Sequence, residues 1–110
     1  MTHPHEPYRT LALPSRVHFL ASLAFHLSEV ARVCYPRADD LPAPALVAAN
    51  ELSHLFSKQI LRELRHGEGG YPDETFFAII EEVGAPHASE LNLRWAIRKA
   101  YEDVDGAASY

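Results

Sequence analysis

Glu51 and His54 stand three residues apart in "ANELSHLF", Ala49 to Phe56, within an apolar run of helical spacing. Residues three apart are neighbours on a helix surface, and Glu-x-x-His is half of the ligand set of di-iron helical bundles. His26 and Glu29 repeat the spacing in reverse order. If the two helices that carry these pairs run antiparallel, His26 lies level with His54, and Glu29 with Glu51. Two imidazoles and two carboxylates at matching heights would suit iron, manganese or zinc. His26, Glu29, Glu51 and His54 are therefore the candidate metal set. Helical phase argues against it. Each pair sits away from the apolar stripe of its helix, whereas di-iron bundles project their ligands into the core from four helices. A solvated, salt-bridged face explains the same residues without a metal, and no cofactor is expected.

Nucleophilic chemistry finds less support. Cys34 falls on the apolar side of its helix, where a buried, inert thiol is the simpler reading. No Gly-x-Ser-x-Gly elbow accompanies any serine. "GEGG" is too short for a phosphate loop and follows a helix rather than a strand, so it reads as a turn. No catalytic residue is assigned, and the expectation is a protein that is not an enzyme.

A helix-turn-helix is the next possibility. "FFAIIEEVGAPHASELNLRWAIRKA" has a short apolar helix, a glycine turn and a second helix bearing Arg94, Arg98 and Lys99. Those three are the candidate DNA contacts. The start of the second helix, which would meet base edges, is "HASELN" and offers Glu90 and a single amide, Asn92. Its basic residues come one to two turns later. Glu74, Glu81 and Glu82 would oppose the DNA backbone. DNA binding is thus the alternative reading, not the first.

The elements behind these residues follow from periodicity. "MTHPHEPYRTLALP" has three prolines and reads as an extended arm over residues 1–14. Ser15 then caps a long helix, which gathers Leu20, Leu23, Ala24, Leu27, Val30, Ala31 and Cys34 on one side at about 100° per residue. Pro36 stops it, and "PRADDLPAPA" forms a connector. A second helix runs from Pro44 or Ala45 to His66 with Leu46, Ala49, Leu52, Phe56, Ile60 and Leu64 as its stripe. The glycines of "GEGG" end it. Pro72, Asp73 and Glu74 suit the start of a third helix, and Gly84 its close. Ser89 caps a fourth helix that reaches Val104, and residues 105–110 form a frayed tail. No strand alternation and no internal repeat is visible. The expected architecture is all-α: a single-domain, four-helix bundle-like array over residues 15–104.

Composition narrows the function class. The chain has 110 residues, 47% hydrophobic and 23% charged, in the globular range. Its net charge of −5 counts against sequence-independent nucleic-acid binding. A single cysteine forbids an internal disulfide and suits a reducing cytoplasm. No apolar run reaches the ~20 residues that span a bilayer, and the N-terminus lacks the regions of a signal peptide.

The remaining expectation is a small interaction module that binds another protein. Its contact surface is read from the fourth helix, where Leu93, Ala96, Ile97, Ala100 and Val104 form the core stripe. Leu91, Trp95 and Arg98 fall on nearly the opposite side, as an apolar patch with the residue types of binding hot spots. Coverage of Trp95 by the arm, through Tyr8 and Leu11 or Leu13, is the competing explanation. A homodimer is expected as well. Leu55 and Leu61 flank the second stripe, and Phe19 and Phe25 the first, which is more apolar arc than one neighbour covers.

Overall fold

The computed structural model describes residues 5–34, 43–65 and 70–104, and every regular element among them is helical. The order is α1 (His5–Arg9), α2 (Leu13–Cys34), α3 (Ala43–Leu64) and α4 (Asp73–Gly84). A 3₁₀ turn over Ala85–His87 leads to α5 (Ala88–Leu91) and α6 (Leu93–Glu102). Of the four longer helices, α2, α3 and α4 are those that periodicity predicts, and α6 is the greater part of the predicted fourth. Residues 35–42, the first glycines of "GEGG" and the tail from Asp105 lie outside the described residues, as do the side chains of Val30, Ala31 and Cys34, while the last residues of the expected connector, Ala43 to Ala45, belong to α3.

α2 is the hub. It packs along α3 on one side and α6 on another, α4 lies against α3, and α1 against α4. Phe19, Leu20 and Leu23 of α2 meet Leu52, Leu55 and Phe56 of α3 in one core, with Phe76, Phe77 and Ile80 from α4. The rings interlock: Phe19 lies 4.3 Å from Tyr101 between centroids, and Phe76 and Phe77 stand edge to face. On α6 the expected stripe is the buried one, since Leu93, Ala96, Ile97, Ala100 and Val104 are all in the core.

Three expectations change. The first concerns α3, whose buried face consists of Ala45, Ala48, Leu52, Leu55, Phe56 and Gln59. Leu46 and Leu64, assigned to the core stripe, are 44% and 56% exposed. The helix carries apolar residues on both sides, and the buried side is the one with the small alanines. Ile60 of α3 and Leu27 of α2 are only half-buried, at the margin of the core.

Second, the N-terminal stretch is not extended over its described part. His5–Arg9 is an α-helical turn, and α2 begins at Leu13, ahead of Ser15. Pro7 and Pro14 both fall in first turns, where a missing N–H removes no helical hydrogen bond. Tyr8 drives the docking. Its ring is fully buried between Phe19 and Phe77.

Third, the predicted fourth helix is two. Asn92 has φ 49°, ψ 46°, a left-handed conformation that ends α5 and precedes α6. Asparagine is one of the few residues that adopts this at modest cost, and the reorientation lets Leu91 and Leu93 both enter the core. Ser89 consequently lies within α5 and caps nothing.

Candidate contact surface

The four residues of the candidate metal set do not converge. His26 turns toward α6, its Nε2 2.6 Å from Asp103 Oδ2. Glu51 and His54 are exposed on α3, and no three His, Cys, Asp or Glu side chains among the described residues form a metal-binding group. The reason is the phase that the sequence indicates: α2 and α3 meet through their apolar faces, which leaves Glu51 and His54 pointing outward.

Asp103 gathers a Ser/His/Asp trio that sequence reasoning missed. Ser22 Oγ donates to Asp103 Oδ2 at 2.5 Å, and His26 approaches the same oxygen. The order is wrong for nucleophilic activation, which needs the imidazole between serine and carboxylate. Here the carboxylate stands in the middle, accepting from the Ser22 hydroxyl and facing His26 Nε2 at the same oxygen. The hydrogen bond from Ser22, then that from His26, holds the Asp103 carboxyl below the usual range. The trio fastens the end of α6 to α2. No local motif marks it, because Asp103 is about 80 residues from its partners.

A second polar cluster fixes α1. Arg16 donates through one guanidinium nitrogen to Glu63 at 3.2 Å and Asp73 at 3.1 Å, joining α2 to α3 and α4. Its Nε donates to the Leu11 carbonyl, and its other terminal nitrogen to that of Arg9, at the end of α1. The Tyr8 hydroxyl donates to Glu63 at 2.9 Å while Arg16 stacks over the Tyr8 ring. Burial, reinforced by the Glu63 carboxylate, raises the Tyr8 phenol far above its ordinary range, so it stays protonated. These groups satisfy one another and offer nothing to a ligand.

The helix-turn-helix residues are differently placed from the expectation. Arg94 and Arg98 are exposed, but Lys99 pairs with Glu102 at 3.2 Å. α6 packs chiefly along α2, and although its Leu93 touches α4 at Gly84, α4 and α6 do not have each other as main packing partners. "HASELN" belongs to the 3₁₀ turn, α5 and the Asn92 break.

Leu91, Trp95 and Arg98 do not form one open patch either. Leu91 is 5% exposed and belongs to the core, Arg98 is exposed, and Trp95 is half-buried against the core. What covers Trp95 includes the His26 ring, 5.6 Å away and edge-on. Tyr8 packs against Phe19 and Phe77 instead, so Trp95 is not the ring it covers.

The exposed apolar surface is on α3. Among the described residues six large hydrophobic side chains are exposed, and four belong to this helix: Leu46, Val47, Leu61 and Leu64. At about 100° per residue, Leu46, Asn50, Ser53, Ser57, Leu61 and Leu64 lie within a narrow arc opposite the buried face. That arc contains no Asp, Glu, Lys or Arg. Leu55 and Phe19, expected at a dimer surface, are instead buried within the chain, while Leu61 and Phe25 are exposed. Set against protein-family models, curated proteins and solved structures, the chain has no match.

Proposed function

We propose that this chain is an interaction module that acts by binding a macromolecular partner of protein nature, with the outer face of α3 as the contact surface. The observation that carries the reading is the uncharged stripe on that face, bordered by Leu46, Val47, Leu61 and Leu64, each at least 44% exposed. A solvent-facing helix surface is ordinarily charged, whereas here exposed apolar pairs toward the two ends of α3, Leu46/Val47 and Leu61/Leu64, are joined by the uncharged Asn50, Ser53 and Ser57. The clamps around Arg16 and Asp103 support the same reading, because their polar groups are spent on holding helices together.

No catalytic role is proposed for any residue. The cytoplasm remains the proposed compartment, on the single cysteine; no described helix is long and apolar enough to cross a membrane.

The test is affinity capture from the native host with mass spectrometry, comparing the natural chain with Leu46→Glu/Leu64→Glu. A specific partner lost in the double variant, with unchanged folding, supports the reading. Equal capture by both moves the contact surface elsewhere, and salt-sensitive capture of DNA in place of protein would favour the alternative function.

A further inference from the structure

We propose that the C-terminal half of the outer α3 face takes an acidic amphipathic helix of another protein. Leu61 and Leu64 are its apolar seats, and Lys58 and Arg65 receive its carboxylates. This rests on the interaction reading above and gives the partner its chemistry.

The case comes from where the charges of α3 point. The helix has two carboxylates, Glu51 and Glu63. Glu63 is turned inward and only 11% exposed, accepting from Arg16 and from the Tyr8 hydroxyl. The outer surface of α3 from Ser53 onward therefore presents no carboxylate. It presents Lys58 and Arg65 instead, both exposed and, among the described residues, neither in an ion pair. Arg62 adds positive charge to the same end, its side chain lying against Gly70. The whole chain has a net charge of −5, so this surface has the opposite sign to the rest.

Position gives the cations a target. At about 100° per residue, Lys58, Leu61 and Arg65 fall within about 60° of one another. Leu61 comes three residues after Lys58 and four before Arg65, so both cations neighbour it on the helix surface. The Arg65 N–H bonds to the Leu61 carbonyl at 2.9 Å, so Arg65 continues the helical turn and keeps that place. Leu61 and Leu64 are 47% and 56% exposed, an apolar pair with a cationic border on one side. The helix macrodipole accounts for cations in the last turn only, and Lys58 precedes that turn. Lys58 and Arg65 are two turns apart, about 10 Å. A helix lying alongside meets them with carboxylates at the same spacing, i and i+7, and seats its apolar residues on the leucines. A nucleic acid would use the cations but not the leucines. A bilayer would require the broad apolar face of α3, which is spent on the core.

The test is a phage-displayed library of random helical peptides, selected on the full chain. Enriched sequences are expected to carry carboxylates seven apart with apolar residues between. A synthetic peptide of one such sequence is then titrated by fluorescence anisotropy. Lys58→Glu/Arg65→Glu should weaken its binding about 10-fold or more, with the larger effect at low salt. The same peptide with lysine in place of its acidic residues should recover binding to that variant. Lys58→Gln/Arg65→Gln should weaken binding less, and Leu61→Ser should weaken it at either salt, with unfolding midpoints unchanged in both. Enrichment of neutral or basic sequences that still require Leu61 overturns the acidic partner and leaves the interaction reading standing. Peptides that bind the natural chain and all of these variants alike, Leu46→Glu/Leu64→Glu included, refute both. A selection that enriches nothing overturns the proposal. So does retention of duplex DNA or of phosphatidylserine vesicles through Lys58 and Arg65, or sedimentation that shows a second copy on this face.

Discussion

The side-chain amide of Gln59 closes on the backbone of Tyr71 through two hydrogen bonds. Its nitrogen donates to the Tyr71 carbonyl at 2.6 Å, and its oxygen accepts from the Tyr71 N–H at 3.0 Å. Gln59 is fully buried, so the chain returning toward α4 is pinned to α3 from inside the core. Gln59→Leu would keep the volume but orphan two backbone groups, at about 1–3 kcal/mol each. A loss of about 2–4 kcal/mol in urea unfolding is expected, and a loss under about 1 kcal/mol would mean that water replaces the amide. Gly70 belongs to the same joint. At φ 63° it uses the left-handed region, and a Cβ there would stand 2.8 Å from the Arg62 Cβ and 2.9 Å from the Gln59 amide oxygen.

Docking of α1 should be a substantial source of stability. Tyr8→Ala removes a fully buried ring from between Phe19 and Phe77, and about 3–5 kcal/mol is expected to go with it. Tyr8→Phe keeps the ring and loses only the donor to Glu63, so it should cost less, about 1–2 kcal/mol. Calorimetry on the two variants separates packing from hydrogen bonding. Near-equal losses would show that the hydroxyl, not the ring, carries the docking.

How much of this was legible depends on where apolar character and burial coincide. They coincide in α6, where every residue of the predicted stripe is buried, and in α4, where Phe76, Phe77 and Ile80 are. They part in α3. There the buried face includes Ala45, Ala48 and Gln59 while Leu46 and Leu64 face outward, so a rule that sends leucine inward gives the wrong phase. The break at Asn92 is invisible in "SELNLRWA", because an asparagine inside a helical pattern need not leave it. Tyr8 falls in a stretch that looks extended, since prolines at permitted first-turn positions look like breakers. The Asp103 trio could not be read at all, as its spacing exists only after α6 has docked.

Trp95 illustrates the consequence for mutagenesis. Read from the sequence it is either a ring covered by another element or a hot spot on a free face, whose truncation weakens binding and leaves folding intact. In the fold it packs against the core and the His26 ring. Trp95→Ala should therefore destabilise the chain by about 1–3 kcal/mol, short of the effect of a fully buried ring. Denaturant titration followed by far-UV circular dichroism measures it, since the only tryptophan is removed. A change below about 0.5 kcal/mol would return Trp95 to the list of contact residues.

The Asp103 clamp predicts a particular acid response. Its carboxyl is held below the ordinary value by Ser22, then by His26, so the folded state favours the ionised form more than the unfolded chain does. The sign follows: this contribution is fully present above the unfolded value of about 3.9 and is lost as pH falls through the lower folded value. Asp103 is 44% exposed, which solvent screening turns into a modest effect. Urea midpoints of the natural chain and of Asp103→Asn, compared from pH 7 to about pH 2.5, isolate it from the other carboxylates. The gap between the two should be widest near neutrality and narrow below about pH 4. Ser22→Ala should shrink it, because the larger share of the depression comes from that hydroxyl. Curves that stay parallel across the range would show that Asp103 does not titrate differently in the fold, and the clamp would then hold α6 through geometry alone.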